Sequence, residues 1–366
     1  MRKKLVVVQQ YLSWKGHYRQ YFENLMDWDH YSLYASNDKE TYPRSTWIPS
    51  SFDADKPLTI WTKIKGRFWD SFRVYKFLGK QDFDVIHFIE FEPLSFLLCS
   101  AALLRDKTLV ITIHSSDRLH FSSWLNNQLS SFQRWLLETA LKKAVKHDAF
   151  IVTHYQCHRQ RICEIVGPGY EKQVAVIQYP TPLPETLVPR AERDISNPKF
   201  LIYGQIREDK GIFEFLSDPA TESLNITIAG KVVDTRLHSL PKRRNLTVID
   251  KFLSEEEINE LVDSHDYMLL PYPEAYTNGA GTFKDSLAKA MPVVCSNIPI
   301  FKEIVDAYGV GIIFSKPSDI LPALAIVDEE RYGALSKRCL EYAQNFDWKY
   351  MRAEYFKIYD QLKESI

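Results

Sequence analysis

The stretch from Phe200 to Leu216, "FLIYGQIREDKGIFEFL", joins an apolar run to a helical pattern through a short polar loop. The run is typical of a buried strand, and Gly204, Arg207 and Lys210 follow it directly. Open α/β sheets bind ligands at the carboxyl ends of their strands. A glycine and two cations at such an end predict an anionic ligand, and phosphate fits best. The alternative is a surface loop with solvated charges.

Length and composition indicate a globular protein of two domains. A chain of 366 residues exceeds the ~250–300 residues at which single cores stop growing. Its 45% hydrophobic and 25% charged residues are typical of soluble proteins. The five cysteines show no paired spacing, which suits a reducing cytoplasm. The apolar run Leu5–Val8 is too short for a signal peptide and is predicted to be the first strand.

The two halves of the chain carry opposite charge. Residues 1–190 contain 25 Lys and Arg against 19 Asp and Glu, a net charge of +6, and the remainder carries −7. The basic half could meet anionic lipid or an acidic acceptor. Neither half is basic enough to predict nucleic-acid binding.

Short apolar runs alternate with helical patterns along the whole chain, which predicts an α/β fold with parallel sheets. The strand candidates are Leu5–Gln9, Val85–Phe88, Thr108–Ile113, Ala149–Val152, Val174–Ile177, Phe200–Tyr203, Asn225–Ala229, Leu246–Ile249, Tyr267–Leu270 and Val293–Cys295. Helices are predicted over Leu125–Lys146 and Glu255–Asp263, the second behind a capping box at Ser254. Five prolines in 179–198 indicate an interdomain linker. The prediction is therefore two Rossmann-like domains whose intervening cleft holds the site.

A second loop offers a place for a diphosphate. In "PYPEAYTNGAGTFKDSLAKAMPVV", a strand ends before Pro271 and a helix starts near Thr282. Gly279 and Gly281 allow close backbone approach, and the free amides and dipole of the helix start favour an anion. Thr282 adds a hydroxyl, and Asp285 can accept from sugar or ribose hydroxyls. An ordinary turn of small residues is the alternative.

Together the two stretches resemble the donor-binding half of GT-B glycosyltransferases, in particular the family-4 enzymes (glycosyltransferase group 1). The family pattern has Gly-Arg-Leu, three residues and Lys-Gly; here Gly204 to Gly211 reads "GQIREDKG". Its later Glu, Ala-Met-Ala and Pro-Val-Ile segment matches Asp285 to Val294, "DSLAKAMPVV". The resemblance covers about 200–366 well and the first half mainly by strand order.

Four positions differ from the family pattern. The family arginine is Gln205 here, so Arg207 is the candidate to supply that charge. The second glutamate is Asp285, and the first falls on Thr277, with Glu274 three residues earlier. The helix glycine is Ala290.

The resemblance implies a GT-B architecture with its domains in a defined order. An acceptor-binding Rossmann-like domain spans 1–180, a linker 181–198, and a nucleotide-sugar-binding domain 199–345. The C-terminal helix, 346–366, crosses back to the N-terminal domain.

The resemblance and the residue chemistry together define the candidate site. The donor-binding candidates are Gly16, Gly204, Gln205, Lys210, Glu274, Gly279, Gly281, Thr282 and Asp285. The catalytic candidates are His114, Lys210 and Arg207. The acceptor-side candidates are His17, Tyr18 and Arg19. Neither a cofactor nor a metal is expected, because cations and a helix terminus neutralise the diphosphate.

Two kinds of possible metal motif are set aside. Asp27-Trp28-Asp29 and Asp82-Phe83-Asp84 have the Asp-x-Asp form, but their positions favour ordinary surface carboxylates. The spacing of the histidines and cysteines in 154–163 matches no common zinc pattern.

The segment 61–80 combines six basic residues with an aromatic stripe at helical spacing. Its apolar positions are Trp61, Ile64, Phe68, Phe72 and Tyr75. Such a helix can lie in a membrane interface, and a core helix with a solvated basic face is the equal alternative.

We therefore predict transfer of a sugar from a nucleotide-diphosphate donor to a hydroxyl of a glycan or lipid-linked glycan. By resemblance the reaction retains configuration and serves cell-surface polysaccharide or glycolipid synthesis. The expected location is cytoplasmic, including the inner face of the membrane, with peripheral contact through 61–80. The alternatives are a sugar-nucleotide epimerase of GT-B type and a non-catalytic GT-B-like binding subunit.

Overall fold

The computed structural model describes residues 4–12, 18–26, 31–36, 42, 45–50, 60–114, 123–183, 190 and 193–364. The chain divides into two compact units. Unit 1 comprises residues 1–178 and 351–366, and unit 2 comprises residues 179–350.

Unit 1 is built on a sheet of seven parallel strands in the order β3-β2-β1-β4-β5-β6-β7. The strands are β1 Leu5–Gln9, β2 Tyr31–Ser36, β3 Ser45–Pro49, β4 Val85–Phe88, β5 Thr108–Ile113, β6 Phe150–Thr153 and β7 Val174–Val176. The helices are α1 Tyr18–Leu25, α2 Ile60–Leu78, α3 Pro93–Leu103, α4 Ser123–Val145 and α5 Gln156–Val166. The central strands β1, β4 and β5 are buried on both faces, which explains their continuous apolar sequences.

Unit 2 has a second parallel sheet of six strands in the order β10-β9-β8-β11-β12-β13. The strands are β8 Lys199–Tyr203, β9 Asn225–Ala229, β10 Leu246–Ile249, β11 Tyr267–Leu270, β12 Val293–Ser296 and β13 Gly311–Phe314. The helices are α6 Ile212–Leu216, α7 Glu255–Ser264, α8 Gly281–Ala288, α9 Pro299–Tyr308, α10 Ile320–Leu324 and α11 Glu329–Asn345. The predicted capping box is present, because Ser254 and Glu257 each accept from the other's backbone amide.

The last helix, α12 Trp348–Glu364, belongs to unit 1 from Met351 onward. Its tyrosines enter the core of that unit: the Tyr359 hydroxyl lies 2.5 Å from Nδ1 of His87. The Tyr355 hydroxyl lies 2.7 Å from the Thr112 hydroxyl. These buried polar contacts tie the end of the chain to strands β4 and β5.

The ten predicted strands are confirmed, with bounds shifted by at most one residue. Three further strands, β2, β3 and β13, were missed. Among the described residues, no helix has both the length and the hydropathy needed to cross a bilayer.

Candidate functional site

Three loops of unit 2 meet at the carboxyl ends of the neighbouring strands β9, β8 and β11. Glycines allow their backbones to touch. A β-carbon on Gly230, after β9, would lie 1.9 Å from the carbonyl oxygen of Gly204, after β8. A β-carbon on Gly211 would lie 2.7 Å from the carbonyl oxygen of Pro271, after β11. The glycines at the ends of these strands let the three loops pack closely together. We call the compact polar surface that these loops form the floor of the site.

Lys210 is the buried cation of this floor, with only 7% of its surface exposed. Its Nζ donates to the carbonyl of Tyr203 over a long 3.4 Å. Within the described chain, no carboxylate lies at ion-pairing distance from it. Burial, assisted by the charge of Arg207, lowers the pKa of Lys210 to about 8. An ammonium that has lost water without gaining a counterion is ready to receive an anion.

Arg207 is in a different position. Its guanidinium makes a two-point pair with Asp209, through Nε at 2.9 Å and a terminal nitrogen at 2.8 Å. This pair raises the pKa of Arg207, and 45% of the side chain is exposed. Arg207 therefore already has a carboxylate partner, whereas Lys210 does not.

Helix α8 begins beside Lys210. Its N-cap residue, Ala280, has no side chain that can accept from the first amides. Space is open around Gly281. A β-carbon on Gly204 would lie 3.3 Å from Cγ2 of Thr282 and 3.6 Å from Nζ of Lys210. The structure thus brings together three predicted site residues and an uncapped helix start, an arrangement that favours an anion.

Asp285 lies one turn further along α8, beside Tyr203 at the end of β8. Burial raises the pKa of Asp285 to about 6, against the lowering effects of Lys289 and the Tyr203 hydroxyl. Burial also raises the pKa of Tyr203 well above its ordinary value. The Tyr203 hydroxyl is buried and lacks a hydrogen bond of good geometry in the described chain. The sequence analysis missed Tyr203 because its pattern showed only a buried strand.

Three further donor-site candidates lie at the solvent-exposed surface of unit 2. Gln205, Glu274 and Gly279 are exposed, and the carbonyl of Gly279 accepts from the Tyr276 hydroxyl at 3.3 Å. The described residues of unit 2 show no side-chain contact of Gln205 or Glu274 that would assign them a role, and both stay predictions.

Lys284 is a second buried cation that the sequence analysis missed. It is directed to α11, where its Nζ donates to the Tyr342 hydroxyl and lies 4.5 Å from the centre of that ring. Burial lowers its pKa to about 7. Lys284 therefore joins α8 to α11.

The donor-site candidate Gly16 and the acceptor-side candidate His17 lie outside the described residues. Tyr18 is the first residue of α1, and its side chain also lies outside what is described. Arg19 is exposed and donates to the Tyr42 hydroxyl at 3.3 Å.

His114 follows β5 and uses both ring nitrogens inside unit 1. Nε2 lies 3.1 Å from the Ile89 carbonyl and 3.2 Å from the carboxylate of Glu90. Nδ1 lies 3.0 Å from Nε2 of His154, whose Nδ1 lies 2.9 Å from the Ile177 carbonyl. Glu90 and His154 were missed as partners. The position of Glu90 just after strand β4 is the sequence signal that could have identified it as a partner of His114.

The carboxylates set aside as metal ligands include a pair that is structural. Asp82 forms an ion pair with Nζ of Lys4 at 3.0 Å, and Asp84 accepts from the Lys4 amide at 2.7 Å. Asp27 and Asp29 lie outside the described residues. Within the described part of the chain, no group of three or more His, Cys, Asp or Glu residues could hold a metal ion.

Comparison with known proteins gives one family match and several similar structures. Residues 34–166 match the model of Glycosyltransferase Family 4. Sucrose-phosphate synthase from Thermosynechococcus elongatus is similar in structure, with a TM-score of 0.72, 14% identity, and 99% of each chain covered. HepE of Anabaena in complex with UDP gives a TM-score of 0.64 at 12% identity over 98% of this chain and 100% of that one. A trehalose-6-phosphate structure from E. coli, bound with UDP-2-fluoro glucose, gives 0.65 at 11% identity with both chains fully covered. No curated protein matches the sequence.

These matches confirm the predicted resemblance and the predicted fold class: residues 34–166 match the Glycosyltransferase Family 4 model, and the chain has the GT-B fold. The prediction of a glycosyltransferase agrees with the family match over residues 34–166. The family match lies in unit 1, whereas the motifs that carried the resemblance lie in unit 2.

Proposed function

We propose that this protein transfers a sugar from a nucleotide-diphosphate donor to a hydroxyl of a glycan or lipid-linked glycan. One observation carries the proposal: the buried ammonium of Lys210 and the uncapped start of α8 both lie beside Gly204. Two positive groups at that spacing suit a diphosphate. Asp285 is one helical turn away, where it can accept from ribose hydroxyls.

The donor is proposed to be a uridine diphosphate sugar. The support comes from similar structures: HepE of Anabaena is known in complex with UDP and with UDP-glucose. The E. coli structure binds UDP-2-fluoro glucose. A hexose is therefore the first sugar to test.

In the proposed reaction, the bond from the sugar's anomeric carbon to the diphosphate breaks as the acceptor oxygen bonds to that carbon. The acceptor hydroxyl passes its proton to an oxygen of the departing diphosphate, on which negative charge develops as the sugar leaves. Lys210 and the α8 amides stabilise this charge. Arg207 adds to it only when its pair with Asp209 opens. Retention of configuration is part of the proposal and rests on the family resemblance.

The deciding experiment incubates the protein with radiolabelled UDP-hexoses and a lipid and glycan extract. Label transferred to the extract supports the proposal. Release of a free epimer would instead favour the epimerase. Donor binding without turnover would favour a non-catalytic subunit, which the neutralised Arg207 and the exposed Gln205 would then explain.

Activity is expected to persist in excess EDTA. The reason is that an ammonium and a helix terminus take the place that a metal ion has in other transferases. The measurement compares transfer rates with and without 10-fold excess chelator over total divalent ions. Complete loss that Mg²⁺ or Mn²⁺ restores would overturn this expectation and redirect attention to Asp27 and Asp29.

The kcat/KM for the donor is expected to be highest between about pH 6 and pH 8. Asp285 accepts from hydroxyls only when ionised, which requires a pH above its pKa of about 6. Lys210 carries its charge only below its pKa of about 8. Outside this window kcat/KM should fall up to tenfold per pH unit. Asp285→Asn should abolish the fall in kcat/KM on the acid side and keep the fall on the alkaline side. A wild-type kcat/KM that stays constant from pH 5 to 9 would contradict the roles assigned to Asp285 and Lys210.

The location proposed is the cytoplasm and the inner face of the membrane, where a lipid-linked acceptor would be reached. The acceptor would serve cell-surface polysaccharide or glycolipid synthesis. Support comes from the basic charge of the first half of the chain.

A further inference from the structure

Four large apolar side chains of unit 1 are exposed on three consecutive helices. Trp69 of α2 is 43% exposed, Leu98 of α3 is 61% exposed, and Phe132 and Trp135 of α4 are 54% and 56% exposed. We call these four residues the α2–α4 face. The helices are neighbours, since α2 contacts α3 and α3 contacts α4. Right-handed crossovers between parallel strands also place them on one side of the sheet.

This face differs from the stripe expected from the sequence. Tyr75 of that stripe is fully buried, and its hydroxyl oxygen accepts from the backbone amide of Glu92. Phe68 and Phe72 are half-buried and stack on each other. The core interpretation therefore applies to Phe68, Phe72 and Tyr75, while the side chain of Trp61 lies outside what is described. Trp69, on another side of α2, is an exposed aromatic residue.

Exposed lysines accompany the apolar residues on the same helical stripes. On α2, Lys65 and Lys76 lie four residues before and seven residues after Trp69, and both are exposed. On α4, Lys142 lies seven residues after Trp135 and is exposed. The three helices contain eight Lys and Arg against two Asp and Glu, and α3 contains no charged residue.

We propose that the α2–α4 face docks on an anionic lipid bilayer. Exposed tryptophan, phenylalanine and leucine can enter the headgroup region, and lysines beside them can pair with lipid phosphates. The cationic excess selects an anionic surface over a neutral one. This inference concerns binding alone and does not depend on the proposed transfer reaction.

A second copy of the chain is less suited than an anionic bilayer to cover the α2–α4 face. A two-fold dimer through this face would bring together two copies of the same cationic patch, because both partners present the same surface. Like charges that meet at an interface oppose association. A bilayer with anionic headgroups removes that repulsion.

The test is co-sedimentation of the full chain with vesicles of phosphatidylglycerol and phosphatidylcholine. Wild-type protein should bind these vesicles, ignore pure phosphatidylcholine, and be released by ~0.5 M salt. Phe132→Ser with Trp135→Ser should weaken binding at least tenfold, because it removes two exposed apolar anchors. Lys65→Glu with Lys76→Glu should weaken it by more than about twentyfold, since each basic residue near the surface contributes about fivefold.

Phe252→Ser is the matched control, because Phe252 is 80% exposed but belongs to unit 2. It should leave vesicle binding unchanged. The proposal is overturned if wild-type protein ignores anionic vesicles at low salt, or if the paired variants bind as well as wild type. It is also overturned if sedimentation equilibrium shows a dimer that the Phe132/Trp135 variant abolishes, since the face would then be a self-interface.

Discussion

Lys210→Ala is expected to lower kcat by about 10²–10³-fold, the scale of one lost charge-stabilising donor. The loss should fall mainly on kcat, because the charge on the diphosphate grows as the sugar departs. The measurement is steady-state transfer from a radiolabelled UDP-hexose at saturating acceptor.

The stability of the Lys210→Ala variant separates a loss of catalysis from a loss of folding. Burial holds the pKa of Lys210 at about 8, below its ordinary 10.5, so at pH 7 the folded state carries a charge it disfavours. This free-energy cost to the folded state is fully present below about pH 8. It decreases as the pH rises toward the pKa of Lys210 in the unfolded chain. Lys210→Ala should therefore be no less stable than wild type at pH 7, in spite of its lost activity.

Lys302→Ala is the control for the loss of a positive charge in unit 2. Lys302 is exposed on α9 and pairs with Asp306 on the next turn. Its removal should change kcat less than twofold. Near-wild-type turnover by Lys210→Ala would remove Lys210 from the site and with it the main support for the proposed chemistry.

The sequence predicted the fold where the strands are runs of mostly apolar residues. Strands such as β5 and β11 are continuous apolar runs between turn signals, so periodicity alone identifies them. Strand β2, "YSLYAS", is mixed in polarity, and β3 is only half-buried. Their conformation depends on pairing with neighbours across the sheet, which a single sequence does not display.

For the site, the sequence identified the residues that belong to a spaced motif. Gly204, Lys210, Thr282 and Asp285 fall into this class, and the structure places the first three beside one another. The interactions that set the electrostatics of the site depend on the folded geometry. The sequence does not show that the Arg207 side chain turns toward Asp209, or that the fold brings Asp285 beside Tyr203.

Gly230→Ala is expected to destabilise unit 2 by at least about 3 kcal/mol and to abolish transfer. Gly230 has a φ of +140°, which side chains rarely adopt. The added β-carbon would lie 1.9 Å from the oxygen and 2.8 Å from the carbon of the Gly204 carbonyl. Both obstacles are backbone atoms, so no rotamer change can relieve the overlap, and the loops after β8 and β9 must separate.

That separation also explains why activity should fail even in molecules that stay folded. Gly204 lies beside both Lys210 and Thr282, so a displaced Gly204 disturbs the packing that holds the two positive groups together. Gly333→Ala is the matched control: no atom lies within 4 Å of its added β-carbon, and its place inside α11 predicts a gain of up to about 1 kcal/mol. Calorimetry of the full chain should show opposite shifts for the two variants. A Gly230→Ala protein that melts like wild type and still transfers sugar would show that close contact between these loops is not needed to hold the site.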